Sequence, residues 1–154
     1  MRPISVRDAR PDDFEPLVAL LDQMDDSMYQ GPKVHDPAAL RTLYDAILAD
    51  PDQRILVAED GGRIVGTAHV MVLRHFRRKL SRSAVVVGVL VDPESRRGGV
   101  GGALMRAAAE YARGAGCYKL DLTSNAARAG AHRFYRRLGW KRSHFGYSLE
   151  LPPG

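Results

Sequence analysis

Apolar residues recur at helical spacing in four stretches of the chain, which predicts four helices. The first begins at Pro11, because proline suits the first helical position, and its apolar positions continue through Met24 and Met28. The other three helices are predicted over residues 37–48, 99–114 and 126–138.

Shorter apolar runs between these helices predict six strands. Residues 84–91 are almost all apolar, so both faces of that strand are expected to be buried. The predicted strands are residues 4–9, 54–59, 63–73, 84–91, 118–122 and 140–151. Helices and strands in this order predict an α/β fold with a mixed sheet, which residues 140–151 close.

Composition narrows the class of protein. A chain of 154 residues with 45% hydrophobic and 27% charged residues suits one globular domain over residues 1–154. No apolar run is long enough to cross a membrane, and residues 1–8 lack an apolar signal core, so we expect a cytoplasmic protein without a membrane partner. Cys117 is the single cysteine and the histidines lack ligand spacing, so no metal is expected.

Charge is divided unevenly along the sequence. The first 73 residues hold 7 basic and 13 acidic side chains, a net charge of −6, whereas the rest holds 16 basic and 5 acidic, a net charge of +11. A basic half favours an anionic partner such as a phosphate-bearing cofactor, a nucleic acid or an acidic membrane face. An exposed cationic surface without a partner is the alternative.

The stretch from Asp92 to Gly102 has the composition of a phosphate-binding turn. Glycines there lie where a strand leads into a helix, and glycine lets backbone N–H groups approach a ligand closely. The first N–H groups of a helix lack internal acceptors and favour an anion. The residues concerned are Arg96, Arg97, Gly98, Gly99, Gly101 and Gly102.

Two common nucleotide motifs do not fit this stretch. A P-loop needs Gly-Lys-Ser/Thr, but Gly101 and Gly102 are followed by Ala103. A dinucleotide fingerprint needs a third glycine where Leu104 stands. A glycine-rich turn without a ligand is the remaining structural alternative.

Three blocks of the sequence resemble the GNAT superfamily of N-acetyltransferases. Arg96-x-x-Gly99-x-Gly101 after Val91-Asp92-Pro93 resembles its acetyl-CoA signature. Residues 131–140, Ala-His-Arg-Phe-Tyr-Arg-Arg-Leu-Gly-Trp, resemble its C-terminal helix, and residues 6–13 resemble its opening strand and helix. The resemblance implies a mixed, mostly antiparallel central sheet flanked by about four helices and splayed at the central strands.

The resemblance also implies where acetyl-CoA, the acyl-donor co-substrate, binds. Backbone N–H groups from Arg97 to Gly102, Val100 included, would hold its diphosphate, and Gly88 would mark a bulge beside it. The preceding strand, at Val89, Leu90 and Val91, would pair with the pantetheine arm. A backbone N–H of that strand would hold the thioester oxygen.

Residues of the C-terminal helix complete the implied site. Tyr135 matches the tyrosine that gives a proton to the departing thiolate, and a tyrosine packed in the core is the alternative. Phe134 is implied to contact the cofactor. Arg128 stands where many relatives have the asparagine that contacts the pantetheine, and Asn125 is a possible substitute.

The general base is left open by the sequence. Relatives often carry a glutamate on the central strand, but residues 86–89 hold no carboxylate. An alkylammonium, with a pKa of about 10.4, must lose a proton before it attacks. The candidates are Asp121, His69, His75, His144, a water relay, or an acceptor amine that is already neutral.

The preferred function is acetyl transfer from acetyl-CoA to a small-molecule or peptide amine, by direct attack in a ternary complex. A catalytically silent acyl-CoA-binding or sensor module is the alternative, favoured by the missing carboxylate. No specific nucleic-acid binding is expected, because neither a helix-turn-helix nor an aromatic platform is recognisable. By analogy with the family, a strand at 144–151 could pair across a homodimer boundary.

Overall fold

A computed structural model describes residues 3–23, 36–77 and 79–152 of the chain. They belong to two compact units, Met1–Leu122 and Thr123–Gly154.

A five-stranded sheet forms the centre of the first unit, with its strands in chain order. Neighbouring strands pair antiparallel, except that the last two pair in parallel. The strands are β1 (Ser5–Asp8), β2 (Gln53–Asp60), β3 (Arg63–Arg74), β4 (Arg82–Val91) and β5 (Leu120–Leu122).

Three helices of the first unit cover the sheet. A 3₁₀ turn at Pro11–Asp13 leads into α1 (Phe14–Leu21), and α2 (Pro37–Ala49) and α3 (Val100–Gly114) follow. Asp36 begins α2 by accepting a hydrogen bond from the Ala38 amide over 3.0 Å, as an N-cap residue does.

The two faces of the sheet bury different helices. Val57 packs in a core cluster with Phe14, Leu17 and Tyr44 from α1 and α2. Ala58 faces the other way because strand side chains alternate, and α3 packs on that face with Leu104 fully buried.

The second unit contains α4 (Ala129–Arg137). Helical spacing predicted a helix over residues 126–138, and α4 occupies the middle of that range. No helix in the described ranges is both long and apolar enough to cross a membrane.

The sequence correctly predicts the fold class, and two of its elements need comment. The prediction of a strand over residues 140–151 is wrong, because the structure assigns no strand there and leaves Phe145, Tyr147, Leu149 and Leu151 exposed. Alternation favours a strand only where an adjacent strand completes its hydrogen bonds, and the described part of the second unit contains no such strand. The predicted continuation of the first helix through Met24 and Met28 lies outside the described residues.

Candidate active site

A bulge in β4 lies at the centre of the first unit's site. His69 is paired with Val87 and Thr67 with Leu90, so β4 has one residue more than β3 between these pairs. Gly88, in the bulge, has a φ of +61°, which favours glycine. The predicted bulge position is therefore confirmed.

The sheet opens beside this bulge. β5 pairs only with Ala84, Val85 and Val86 of β4, and within the described residues the rest of β4 has no neighbour on that side. Val89, Leu90 and Val91 lie in this part of β4 and are half-buried. On the side away from β3, this edge of β4 can accept an extended ligand, which would add to the sheet as a strand does.

A buried aspartate fixes the turn that follows β4. Asp92 Oδ1 accepts a hydrogen bond from the Glu94 amide over 2.9 Å, and the Asp92 carbonyl accepts one from Ser95. Asp92 is only 6% exposed, and its carboxylate lies 3.3 Å from the Arg63 guanidinium. The turn is thus held in place before the glycine-rich loop begins.

The loop from Arg97 to Gly102 leaves five of its six amides free, since only the Gly98 amide donates, to the Ser95 carbonyl over 3.3 Å. Arg97 and Gly99 have φ values of +75° and +79°, which turn the chain sharply into α3. The first amide of this turn with a helical acceptor is that of Ala103, which bonds to Gly99. Among the described residues, five amides have no acceptor, those of Arg97, Gly99, Val100, Gly101 and Gly102. Such N–H groups at a helix N-terminus suit a phosphate.

The predicted loop residues differ in their exposure to solvent. Arg96, Arg97, Gly98 and Gly99 are exposed, and Arg96 Nε donates to the Val91 carbonyl over 3.4 Å. Val100 and Gly102 are buried, and Gly101 is half-buried. Val100 therefore offers a ligand its backbone N–H, while its side chain belongs to the core.

Sequence reasoning missed Gly66, which sets the position of α3. A Cβ built at Gly66 would lie 2.8 Å from Val100 Cγ1, 3.1 Å from Leu104 Cδ1 and 3.1 Å from the Leu90 carbonyl oxygen. The helix that carries the free amides can approach β3 because residue 66 has no side chain. A glycine inside a predicted strand was the available signal.

In the second unit, Tyr135 lies on α4 between two aromatic rings. Its ring centroid is 5.1 Å from that of Phe134 and 6.0 Å from that of Trp140. Burial raises the pKa of Tyr135, and the nearby Arg128 opposes this shift. The phenol is therefore protonated at neutral pH, as a proton donor must be.

Asn125 and Arg128 lie in the turn before α4. Asn125 Oδ1 accepts a hydrogen bond from Ala127, and its carbonyl accepts one from the Arg128 amide and lies 2.9 Å from His132 Nε2. Arg128 is the N-cap residue of α4. Both side chains are exposed. Asn125 and Arg128 thus lie in the turn that leads into the helix carrying Phe134 and Tyr135.

The candidate bases are distributed over both units. His69 is on β3, His75 follows that strand and Asp121 is on β5. His144 is in the second unit, where its Nδ1 lies 2.7 Å from the Ser143 hydroxyl.

A mixed sheet that opens beside a bulged strand, followed by a helix with free amides, is the α/β architecture that the resemblance to the acyltransferase family implies. A profile described as the acetyltransferase (GNAT) family matches residues 18–140, and the chain belongs to this family. The predicted family, fold class and enzyme class, an acyl-CoA N-acyltransferase, are confirmed.

Two enzymes and one solved structure illustrate how similar this chain is to its relatives. The chain is 34% identical over 119 residues to an aminoalkylphosphonate N-acetyltransferase of Salmonella typhimurium, covering 75% of each chain. It is 35% identical over 105 residues to glucosamine 6-phosphate N-acetyltransferase 1 of Oryza sativa subsp. japonica, covering 66% of this chain and 62% of that enzyme. A structure from Agrobacterium tumefaciens strain C58 has a TM-score of 0.84 at 28% identity and covers 96% of this chain and 99% of that one.

Proposed function

We propose that the protein transfers an acetyl group from acetyl-CoA to the primary amine of a small molecule, by direct attack in a ternary complex. The five free amides between Arg97 and Gly102, which follow β4 after one short turn, carry this proposal. Membership of the acetyltransferase family supports the reaction class.

Acetyl-CoA fits the residues present in the first unit. Its diphosphate suits the free amides and the positive end of α3, with Arg96 and Arg97 adding charge. Its extended arm suits the edge of β4 at Val89, Leu90 and Val91, on the side where β5 does not pair. When bound, acetyl-CoA supplies an acyl group activated as a thioester.

Residues of the second unit have proposed roles that follow the family motif. Tyr135 gives its phenolic proton to the departing sulfur, and its raised pKa keeps that proton available at neutral pH. Phe134, Asn125 and Arg128 contact the cofactor, the last two through exposed polar side chains.

The acceptor we propose is a small amine that also carries a phosphoryl or phosphonyl group. Both enzymes compared above are named for such acceptors. An aminoalkylphosphonate and glucosamine 6-phosphate are therefore the first amines to test.

The decisive experiment removes one amide from the loop. Gly101→Pro deletes an N–H group that has no acceptor among the described residues, in the first helical turn where proline is tolerated. Calorimetry should show CoA binding weakened about 10-fold to 100-fold, since a hydrogen bond to a charged group contributes about 1.5–3 kcal/mol. Gly101→Ala keeps the N–H group and is the matched control.

Thiol release from acetyl-CoA with the two amines then separates the functions. Amine-dependent release supports the transferase. Tight CoA binding without release from any amine indicates the silent acyl-CoA-binding module, and absence of CoA binding by the wild-type protein contradicts both.

A further inference from the structure

A chain of hydrogen bonds fixes the tautomer of His69 on β3. Gln53 Nε2 donates to Asp50 Oδ2 over 2.8 Å, and His69 Nε2 lies 2.8 Å from Gln53 Oε1. A carboxylate only accepts, so the amide nitrogen of Gln53 faces Asp50 and its carbonyl faces His69. That carbonyl also only accepts, which places the hydrogen of neutral His69 on Nε2 and the lone pair on Nδ1.

His69 lies beside the β4 bulge. It is paired with Val87, the last β4 residue before Gly88, and residues paired across strands are about 5 Å apart. It shares its face of the sheet with its β2 partner Ile55, which packs on the core under α1 and α2. A Cβ built at Gly88 would meet nothing within 4 Å, so there is open space at the bulge.

The surroundings of His69 keep its ring neutral at pH 7. The side chain is half-buried, and burial lowers its pKa from 6.5. Its partners across the two ladders, Ile55 and Val87, are uncharged. No described side chain bonds to Nδ1, so the lone pair is available.

We propose that His69 is the general base of the acetyl transfer and that Gln53 and Asp50 are its positioning residues. The inference rests on the proposed function and supplies the base that the central strand lacks. His69 Nδ1 takes one proton from the acceptor ammonium, and the freed nitrogen lone pair forms the N–C bond as the C–S bond breaks.

The protons of this step balance. The proton on His69 passes to water. The second proton leaves the nitrogen as the amide forms. It restores the hydroxyl group of Tyr135, which has given its own proton to the sulfur. The products are one amide, one free thiol and one proton in solution.

The other candidate bases are less suited. His75 Nε2 lies 2.6 Å from the hydroxyl of Ser83, which is four residues before Val87 and thus about 13 Å along β4. Asp121 is ion-paired with the Lys119 ammonium at 2.7 Å. His144 is exposed beside Ser143.

The test compares two acceptors that differ in basicity. For an aminoalkylphosphonate at pH 7, His69→Ala should lower kcat/KM about 100-fold, the usual contribution of a general base. An analogue with enough fluorine on the carbon next to the aminomethyl group to bring the amine pKa below 7 is already neutral at pH 7, so its rate should fall less than about threefold. His75→Ala, directly after the end of β3, is the matched control and should match the wild type with both amines.

If His69→Ala lowers kcat/KM equally with both amines, His69 has a structural role. If kcat/KM falls with neither amine, His69 takes no part in the reaction. If the wild-type protein releases no thiol with any amine, the proposed function fails; wild-type release that His69→Ala leaves unchanged defeats only this inference.

A second variant tests the positioning residues. Gln53→Leu should lower kcat several-fold and leave KM for the amine unchanged. Nitrogen-15 NMR of the free protein should show the Nε2–H tautomer of His69 in the wild type and a mixture of tautomers in Gln53→Leu. A mixture in the wild type would overturn the assignment.

Discussion

At the scale of single residues, the hydroxyl group of Tyr135 separates catalysis from binding. Tyr135→Phe keeps the ring packed against Phe134 and Trp140 and removes only the proton donor. We expect kcat for thiol release to fall about 100-fold, within the range for general acids, while CoA affinity by calorimetry stays unchanged.

Tyr147→Phe is the matched control, because that tyrosine is 96% exposed. In the wild type, Tyr135 keeps its proton until the pH passes its pKa, which burial raises from 10.0. Loss of this proton should therefore not lower the rate below that pH. A Tyr135→Phe enzyme with full activity would contradict the proton-donor role.

Single residues also show where sequence reasoning succeeds. The bulge at Gly88 was predictable, because a glycine inside an apolar strand often marks a bulge, and the φ of Gly88 is positive. The hydrogen bonds of His69 were not, since Gln53 is 16 positions away and its contact depends on the register of β2 against β3.

At the scale of elements, the contact between α3 and β3 holds the phosphate-binding loop in position. Gly66→Ala places a methyl group against Val100, the first residue of α3, and against the backbone of Leu90. Overpacking of this kind costs about 1–3 kcal/mol of stability. We expect that loss in urea unfolding, together with CoA binding weakened several-fold, because the free amides move with the helix.

Gly114→Ala provides the control at the other end of α3. A Cβ there would meet nothing within 4 Å, and alanine favours a helix over glycine by about 1 kcal/mol. That variant should be as stable as the wild type or more so, with normal CoA binding. Normal binding by Gly66→Ala would show that the loop does not depend on this contact.

The strands were predictable to different degrees. β2, β3 and β4 follow from apolar runs between clear turns, and their bounds agree with the prediction to within two residues at each end. The predicted strand over residues 140–151 shows the limit of this reasoning. Alternation of apolar and polar residues indicates which face of a strand would be buried, but not whether a partner strand exists.

At the scale of the whole molecule, an ion-pair cluster ties the first helical turn to the sheet. Arg7 on β1 donates to both carboxylate oxygens of Asp13 and to Glu59 on β2. The Arg7 hydrogen bonds hold the pKa of Asp13 below its usual 3.8. Asp13 therefore stabilises the fold fully above its unfolded pKa, and this contribution is lost as the pH falls through the folded pKa.

Asp13→Asn should lower the free energy of unfolding by about 2 kcal/mol at pH 7, since hydrogen bonds to charged groups contribute about 1.5–3 kcal/mol. Urea unfolding at several pH values should show the difference shrinking in acid. Asp45→Asn breaks an exposed pair with Arg41 and should cost less than about 0.5 kcal/mol. If Asp13→Asn lowers the free energy of unfolding by the same amount at every pH, the proposed link between the Asp13 pKa and stability is contradicted.

The exposed side chains at Phe145, Tyr147, Leu149 and Leu151 have a practical consequence for handling the protein. A stretch that alternates apolar and polar residues and bonds to no described strand is a template on which identical stretches can stack. Concentrated preparations are therefore at risk of precipitating during storage. Leu149→Lys would be the first solubility variant to make, since Leu149 is 85% exposed and has no role in the proposed acetyl transfer.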